Sequence, residues 1–132
     1  MVSDRVGDFI IRLQNAARIG TRDVALPYSA HLASIAKKLK ELGFVTDVAV
    51  KEHDDAKRTL VVSLAYDDAG RPRLRGVKRL SKPGRRLYAS HASAHTVKGG
   101  TGARIFSTSA GILSDAEARK NRVGGEELFE IW

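Results

Sequence analysis

The sequence predicts an α+β protein built from two small α/β subdomains that pack together. In the first half, two segments carry apolar residues at helical spacing, and short apolar runs follow each of them. In the second half, short apolar runs alternate with turns rich in glycine, proline and serine. A turn at Asp67–Gly70 divides the halves, giving subdomains 1–66 and 67–132. Neither is large enough to bury a sizeable core alone, so shared packing is expected.

The first subdomain is predicted to run helix, strand, helix, strand, strand. Ser3 or Asp4 can cap the first helix, and its apolar stripe ends before Gly20. Ser29 can cap the second helix, which ends at Gly43. Short apolar runs predict the strands at residues 24–26, 44–50 and 59–66.

The second subdomain is predicted to be mostly β with one short helix. Ser114 and Glu117 have the three-residue separation of a capping box, which predicts a helix start. In Ser81-Lys82-Pro83-Gly84, Pro83 and Gly84 predict a turn. The helix is predicted at residues 116–122, and the strands at 74–80, 86–89, 103–107 and 126–132.

Positive charge is concentrated in the second subdomain. The formal net charge of +8 favours an anionic partner. Residues 1–66 carry 10 Lys/Arg against 8 Asp/Glu, which gives +2, whereas residues 67–132 carry 13 against 7, which gives +6. No helix combines a Lys/Arg-rich polar face with an exposed bulky apolar face, so nucleic acid is favoured over anionic lipid.

A run from Arg71 to Arg86 holds eight Lys/Arg residues and no acid. Such a run can neutralise several phosphates; the alternative is a surface that only keeps the protein soluble. Tyr88 follows it and can stack on an unpaired base or lie half-buried in a sheet. The polar face of the first helix can be solvated or contact RNA. The candidate RNA contacts in the basic run are Lys82, Arg85 and Arg86. Those on the first helix are Arg12 and Asn15.

A hydroxyl-rich turn, Ser107-Thr108-Ser109-Ala110-Gly111, joins two apolar runs of the second subdomain. Its short side chains leave the main chain open to a phosphate or a ribose. The alternative is an ordinary polar hairpin turn. The turn is therefore a candidate RNA-reading element.

The sequence does not support an enzyme, a metal site or a cofactor. There is no cysteine, and His91 and His95 lack a third ligand nearby. The segment 99–102 lacks the lysine of a phosphate loop, and Ser107 lacks a nucleophile elbow. No signal peptide or membrane-spanning run is recognisable, so a cytoplasmic location without membrane contact is expected. A hydrolase acting through Ser107 and a protein-binding adaptor are the alternative functions.

A set of short motifs occurs in a fixed order along nearly the whole chain. The most specific is Ser107-Thr108-Ser109-x-Gly111 with Gly124-Gly125-Glu126 downstream. The others are Arg12-Leu13-Gln14-Asn15-Ala16, Leu26-Pro27, Ile35-Ala36, Leu42-Gly43-Phe44 and Ser81-Lys82-Pro83-Gly84-Arg85-Arg86-Leu87-Tyr88. In these motifs the chain resembles the bacterial small-subunit ribosomal protein eight family.

The resemblance implies a two-part α/β protein that binds small-subunit rRNA directly, in its central domain, and helps to assemble it. It also implies neighbouring small-subunit proteins as partners and, as an alternative role, repression of translation through the operon's own mRNA. Glu126 is implied to accept hydrogen bonds from RNA or to orient the turn. The family usually has Lys where this chain has Ala110. The implied RNA-contacting positions are Ser107, Thr108, Ser109, Gly111, Glu126 and Tyr88.

Overall fold

The computed structural model describes three stretches of the chain, residues 4–54, 56–90 and 102–132. Within them the chain forms three helices and two antiparallel sheets, which confirms the predicted α+β class. The described residues pack as two units, one formed by Asp8–Arg75 and the other by residues among Met1–Gly7 and Gly76–Trp132. His91, His95 and the glycines at 99 and 100 lie outside the described residues.

The Asp8–Arg75 unit has the predicted order helix, strand, helix, strand, strand. Its elements are α1 (Arg5–Ile19, whose first turn belongs to the other unit), β1 (Asp23–Pro27), α2 (Ala30–Glu41), β2 (Val45–Glu52) and β3 (Arg58–Leu64). β3 pairs antiparallel with both β1 and β2, which form the edges of this sheet. The largest fully buried side chains here are Phe9, Phe44, Ile10, Leu13, Ile35, Leu39, Leu60, Leu64 and Leu74.

The helix ends follow the predicted caps. The Asp4 carboxylate accepts the main-chain N–H three residues further on at 3.1 Å, which starts α1; Ser3 lies outside the described residues. The Ser29 hydroxyl accepts in the same way at 3.5 Å and starts α2. Gly20 and Gly43 follow the two helices with φ of 80° and 91°, a conformation that glycine adopts without steric cost.

Both edges of the three-stranded sheet carry a side chain that occupies an outward main-chain group. The Arg12 guanidinium donates to the Ala25 carbonyl on β1 at 3.0 Å, and Pro27 has no N–H to offer. On β2, the Asp47 carboxylate accepts the Val48 N–H at 3.0 Å. The alternation of antiparallel hydrogen bonds turns these groups away from β3. Each of these features removes one outward main-chain group from pairing with a further strand.

The second unit is mostly β with one short helix, as predicted. Its elements are β4 (Val77–Arg79), β5 (Tyr88–Ala89), β6 (Ala103–Thr108), β7 (Gly111–Ser114), α3 (Asp115–Asn121) and β8 (Gly125–Ile131). β8 pairs with β4, β5 and β6, and β6 also pairs with β7. The predicted capping box starts α3, because the Ser114 hydroxyl accepts the Glu117 N–H while the Glu117 carboxylate accepts the Ser114 N–H.

Two strands of the second unit are shorter than the sequence predicts. Of residues 74–80, only Val77–Arg79 forms a strand, because Leu74 is buried in the Asp8–Arg75 unit. Of residues 86–89, only Tyr88–Ala89 does so. Here the Leu87 N–H is taken by a serine hydroxyl instead of a neighbouring strand.

The segment after the predicted boundary packs with the Asp8–Arg75 unit. The Arg73 N–H donates to the Ala65 carbonyl at 2.9 Å, and the Arg73 guanidinium lies 4.3 Å from the centre of the Phe44 ring. Through Arg73, the segment 65–73 contacts Phe44, the residue that directly precedes β2. The limits of 1–66 and 67–132 for the subdomains stay a prediction.

Three charged side chains form a half-buried cluster on β6 and β8. The Arg104 guanidinium donates to Glu127 at 2.9 Å and to Glu130 at 2.6 Å, and all three side chains are 14–17% exposed. Burial lowers the pKa of Arg104, but the hydrogen bonds and charges of the two glutamates outweigh it, and the pKa lies above its usual value. The cluster joins β6 to β8 by side chains in addition to their main-chain bonds.

Replacing Asp4 with Asn is expected to make the stability of the protein less sensitive to acid. The Arg79 guanidinium, which donates two hydrogen bonds to Asp4, holds the pKa of that carboxyl below its ordinary value of 3.8, against the opposing effect of burial. A lowered pKa adds stability above pH 4 that is lost as the pH falls through the folded-state pKa. Urea unfolding from pH 7 to pH 2 measures the difference between wild type and Asp4→Asn.

That difference is expected to be largest near neutral pH and to shrink below about pH 4. Asp68→Asn is the matched control, because the exposed Asp68 carboxylate makes no ion pair with any described residue. A difference between wild type and Asp4→Asn that stays constant over the whole pH range would contradict the assignment.

Candidate nucleic-acid interface

The hydroxyl-rich turn connects β6 to β7 as a tight hairpin. Thr108 pairs with Gly111 across the turn, and Gly111 has φ of 108°, which favours glycine. The Thr108 hydroxyl donates to the Gly111 carbonyl at 2.7 Å and accepts the Ala110 N–H at 3.1 Å. The side chain of Thr108 is therefore engaged in closing the turn.

The two serines of this turn have unengaged hydroxyls. Ser107 is half-buried and Ser109 is exposed, and neither hydroxyl makes a hydrogen bond with any described residue. A serine hydroxyl can donate one hydrogen bond and accept two. Within the turn, Ser107 and Ser109 are thus the side chains available to a ligand, while Thr108 fixes the shape that presents them.

Three residues that are far apart in sequence lie side by side across the sheet. Glu126 on β8 is directly opposite Tyr88 on β5 and directly opposite Ser107 on β6. Directly opposed residues of antiparallel strands project from the same face. Tyr88 is 72% exposed, so its ring is open to stacking. A phenol, a carboxylate and a hydroxyl therefore form one row on this face.

Two glycines make this row possible. A side chain on Gly125 would overlap the Ser107 carbonyl oxygen, and one on Gly124 would lie 2.6 Å from the Ala89 carbonyl oxygen. Both neighbours are main-chain atoms, which cannot move without moving their strands. Glycine at these positions lets β5 and β6 approach the start of β8 and so brings Tyr88 and Ser107 to Glu126.

Glu126 is itself paired with a cation. The Arg86 guanidinium donates to the Glu126 carboxylate at 3.2 Å, and the side chains are 50% and 18% exposed. The pair neutralises a carboxylate that would otherwise repel an anionic ligand. The outer part of Arg86 stays accessible.

Arg86 belongs to a short basic loop, residues 82–86, which lies between β4 and β5 in the chain. Lys82 and Arg85 exchange both main-chain hydrogen bonds, at 2.8 and 2.9 Å, around Pro83 and Gly84. The turn is therefore present, with Pro83 and Gly84 at its centre as predicted. The Lys82 and Arg85 side chains are exposed and pair with no carboxylate among the described residues.

The eight cations of the basic run are not equivalent. Among the described residues, Arg71 pairs with Asp67, Arg79 with Asp4 and Arg86 with Glu126. Arg71–Arg75 also belong to a different unit from the basic loop. The run is thus a set of positions with separate roles, and the basic loop is the part of it that lies beside Glu126.

Arg12 and Asn15 lie on α1 in the Asp8–Arg75 unit. The Arg12 guanidinium contacts Asp8 at 3.2 Å and the Ala25 carbonyl at 3.0 Å, so its donors are largely used within that unit. Asn15 is exposed one turn further along the same side of the helix. Of the two predicted contacts, Asn15 is the one whose side chain is open.

The sequence pointed to neither Ser81 nor a shallow cleft at the end of β1. Ser81 is buried beneath the basic loop. The cleft has a volume of about 720 Å³, and Pro27, His53, Lys57 and Arg58 are among the residues that line it. The cations of the cleft are interspersed with acids in the sequence, so the charge pattern did not indicate a binding site there.

The described residues contain no group of three or more His, Cys, Asp or Glu side chains that could hold a metal ion. None of the helices in residues 4–54, 56–90 and 102–132 is long and apolar enough to cross a membrane. What the second unit offers is an open face with hydroxyls, an aromatic ring and guanidinium groups. These are the groups that recognise phosphate, ribose and unstacked bases.

Comparison with protein families identifies the chain: the model for ribosomal protein S8 matches residues 4–132. The chain belongs to the ribosomal protein S8 family. Members of the S8 family are structural, non-enzymatic components of the ribosome, so the prediction that the chain is not an enzyme is confirmed and the hydrolase alternative is excluded.

Curated S8 relatives match along 98–100% of their length. A protein of Helicobacter pylori named small ribosomal subunit protein uS8 is 41% identical over 132 residues, which cover all of both chains. A protein of the same name from Chloroflexus aurantiacus is 39% identical over 131 residues, or 99% of this chain and 98% of the relative. That of Helicobacter acinonychis is 40% identical over 132 residues. Small-subunit proteins are cytoplasmic, in agreement with the predicted location.

Proposed function

We propose that this S8 family member is a structural constituent of the small ribosomal subunit that binds small-subunit rRNA directly, in its central domain. The observation that carries the proposal is the row of Tyr88, Glu126 and Ser107 on one face of the sheet, next to the basic loop. Shape and charge on this face suit an irregular RNA helix, because such helices expose unstacked bases and ribose hydroxyls.

Each part of the face has a distinct role in the proposed complex. The cations of the basic loop contact phosphates and supply affinity that depends on salt. The ring of Tyr88 stacks on an unpaired base, and the hydroxyls of Ser107 and Ser109 bond to ribose or base edges. Thr108 and Gly111 fix the turn. On α1, in the Asp8–Arg75 unit, the exposed Asn15 is expected to add a contact, whereas the donors of Arg12 are largely engaged by Asp8 and the Ala25 carbonyl.

Glu126 fits this role because it is already neutralised by Arg86. A carboxylate has lone pairs in addition to the one that Arg86 occupies, and these can accept hydrogen bonds from a 2′-OH or a base amino group. Ala110 leaves the turn itself without a cation. The charge that holds phosphate near the turn therefore comes from Arg86 and its neighbours in the basic loop.

The proposal is tested by binding to a small-subunit rRNA fragment that contains an irregular helix, with a regular duplex of equal length as control, at two salt concentrations. We expect the fragment to bind about a hundredfold or more tighter, since specific sites exceed non-specific ones by at least that ratio. We expect the preference to persist at the higher salt. Equal affinity for both RNAs would contradict the proposal, because it would show that the protein binds RNA only through its positive charge.

Replacing both Ser107 and Ser109 with Ala is expected to weaken binding to the rRNA fragment by about 1–3 kcal/mol. The reason is that RNA groups buried against the turn lose their hydrogen-bond partners. Filter binding measures the effect. Ser34→Ala is the control, because this exposed hydroxyl bonds only to its own helix at 3.0 Å. Unchanged affinity of the double variant would show that the hydroxyls of the turn do not contact the RNA.

Two further partners follow from the same proposal. The mRNA of the protein's own operon is the alternative RNA target, and we expect it to compete with the rRNA fragment for the same face if it forms a similar helix. Neighbouring small-subunit proteins are expected on the remaining surface, where Ile19 is 78% exposed. Simultaneous binding of both RNAs to one copy would contradict a shared face.

A further inference from the structure

Ser81 is a polar residue in the interior of the second unit. It is 3% exposed and lies where β4 ends and the basic loop begins. Buried hydroxyls are retained where they make hydrogen bonds, because an unpaired one is costly. The partners of Ser81 therefore indicate what it does.

Both side-chain bonds of Ser81 are made to a single residue at the far end of the basic loop. Its hydroxyl accepts the Leu87 N–H at 2.9 Å and donates to the Leu87 carbonyl at 3.2 Å. The two ends of the segment 81–87 are thus closed against each other by a side chain. The main-chain pair of Lys82 and Arg85 closes the same segment nearer to its tip.

The base of this segment is also fixed to β8, beside Glu126. The Ser81 N–H donates to the Glu127 carbonyl at 3.1 Å, and the Glu127 N–H donates to the Leu87 carbonyl at 2.8 Å. The Ser81 carbonyl accepts the Arg79 Nε–H at 2.7 Å. Every main-chain and side-chain polar group of Ser81 is engaged, and together they hold the loop at one position relative to the sheet.

We propose that Ser81 is a positioning residue for RNA binding, which holds the basic loop in the conformation that places Lys82, Arg85 and Arg86 on adjacent phosphates. This inference rests on the proposed function, but the ordering of the loop itself does not require RNA. Preforming the loop removes the cost of ordering long side chains on association. Ser81 acts through the loop and does not touch RNA.

Ser81→Ala is expected to weaken binding to the rRNA fragment about tenfold. It should also reduce the slope of log affinity against log salt by about 0.7–0.9 for each phosphate that the loop no longer neutralises. A residue that only stabilises the fold would lower the folded fraction and leave the slope unchanged. Ser34→Ala is the matched control.

The decisive comparison repeats Ser81→Ala in a protein that already carries Lys82→Ala, Arg85→Ala and Arg86→Ala. We expect less than a twofold further loss of affinity there, because the side chains that Ser81 positions are gone. An equal loss in both backgrounds would overturn the inference. If the alanine variant does not fold, Ser81→Cys gives the same comparison, since its thiol is only a weak donor and acceptor.

NMR relaxation of the amides in residues 82–86, measured without RNA, separates this inference from the proposed function. We expect these amides to become mobile on the nanosecond timescale in Ser81→Ala and to stay ordered in the wild type. Unchanged relaxation would overturn the positioning role whatever the RNA results are. Equal affinity of the wild type for the rRNA fragment and the duplex would overturn the proposed function and leave the loop measurement valid.

Discussion

Replacing Lys82, Arg85 and Arg86 together with Ala is expected to lower affinity for the rRNA fragment about a hundredfold at 0.15 M salt. The slope of log affinity against log salt should fall by about 0.7–0.9 for each phosphate that is no longer neutralised. The absence of Arg86 adds a second effect, because it leaves the Glu126 carboxylate without its described cation, facing an anionic ligand. Filter binding at four salt concentrations measures affinity and slope together.

The matched control removes the same number of charges from the Asp8–Arg75 unit, as Lys37→Ala, Lys40→Ala and Lys51→Ala. All three lysines are exposed. The two triple variants have the same net charge, so a difference between them reports position and not total charge. If the two triple variants lost affinity equally, the basic loop would contribute no more to RNA binding than any other three exposed cations.

Gly125→Ala is expected to lower the free energy of unfolding by about 1–3 kcal/mol and to weaken RNA binding in the fraction that remains folded. The added methyl group would overlap the Ser107 carbonyl oxygen and lie 3.0 Å from the Thr108 methyl carbon. To make room, β6 must move away from β8, and Ser107 then leaves the row with Glu126. Urea unfolding and rRNA binding report the two consequences separately.

Gly84→Ala is the control for this substitution. A methyl group on Gly84 meets no atom within 4 Å, and the residue does not have the left-handed φ that resists substitution. Its unfolding free energy should therefore change by less than about 1 kcal/mol. A Gly125→Ala protein as stable as Gly84→Ala would show that the strands do not need this close approach.

Local features of this protein could be predicted because their partners are close in sequence. The capping box joins residues only three apart, and the turn chemistry of Pro83 and Gly84 acts within four residues. The same holds for Thr108 and Gly111, whose spacing already indicates a tight hairpin. Helices and most strands follow from such short-range signals.

The arrangement of the site could not be predicted, because it depends on strand register. Arg86 and Glu126 are 40 residues apart, and no pattern in either segment indicates the pair. The row of Tyr88, Glu126 and Ser107 exists only in one register of three strands, and a shift of one residue would turn these side chains to the other face. Resemblance to a family suggested these residues, and the strand register places them side by side on one face.

A similar limit applies to residues whose surroundings change their role. Arg12 looks like a free cation on the polar face of a helix, yet its guanidinium contacts Asp8 and the Ala25 carbonyl. Ser81 looks like an ordinary turn residue, yet it is buried and bonded at both ends of a loop. In both cases the partner is fixed by tertiary packing.

The side chains bonded to the edge strands of the three-stranded sheet also matter before the protein joins the ribosome. A ribosomal protein is made away from its RNA and for a while is free among many copies of itself. Exposed strand edges are the usual route by which such copies aggregate. Arg12 and Pro27 on one edge and Asp47 on the other each take one main-chain group out of reach of a second copy, which makes these two edges poorer templates for pairing.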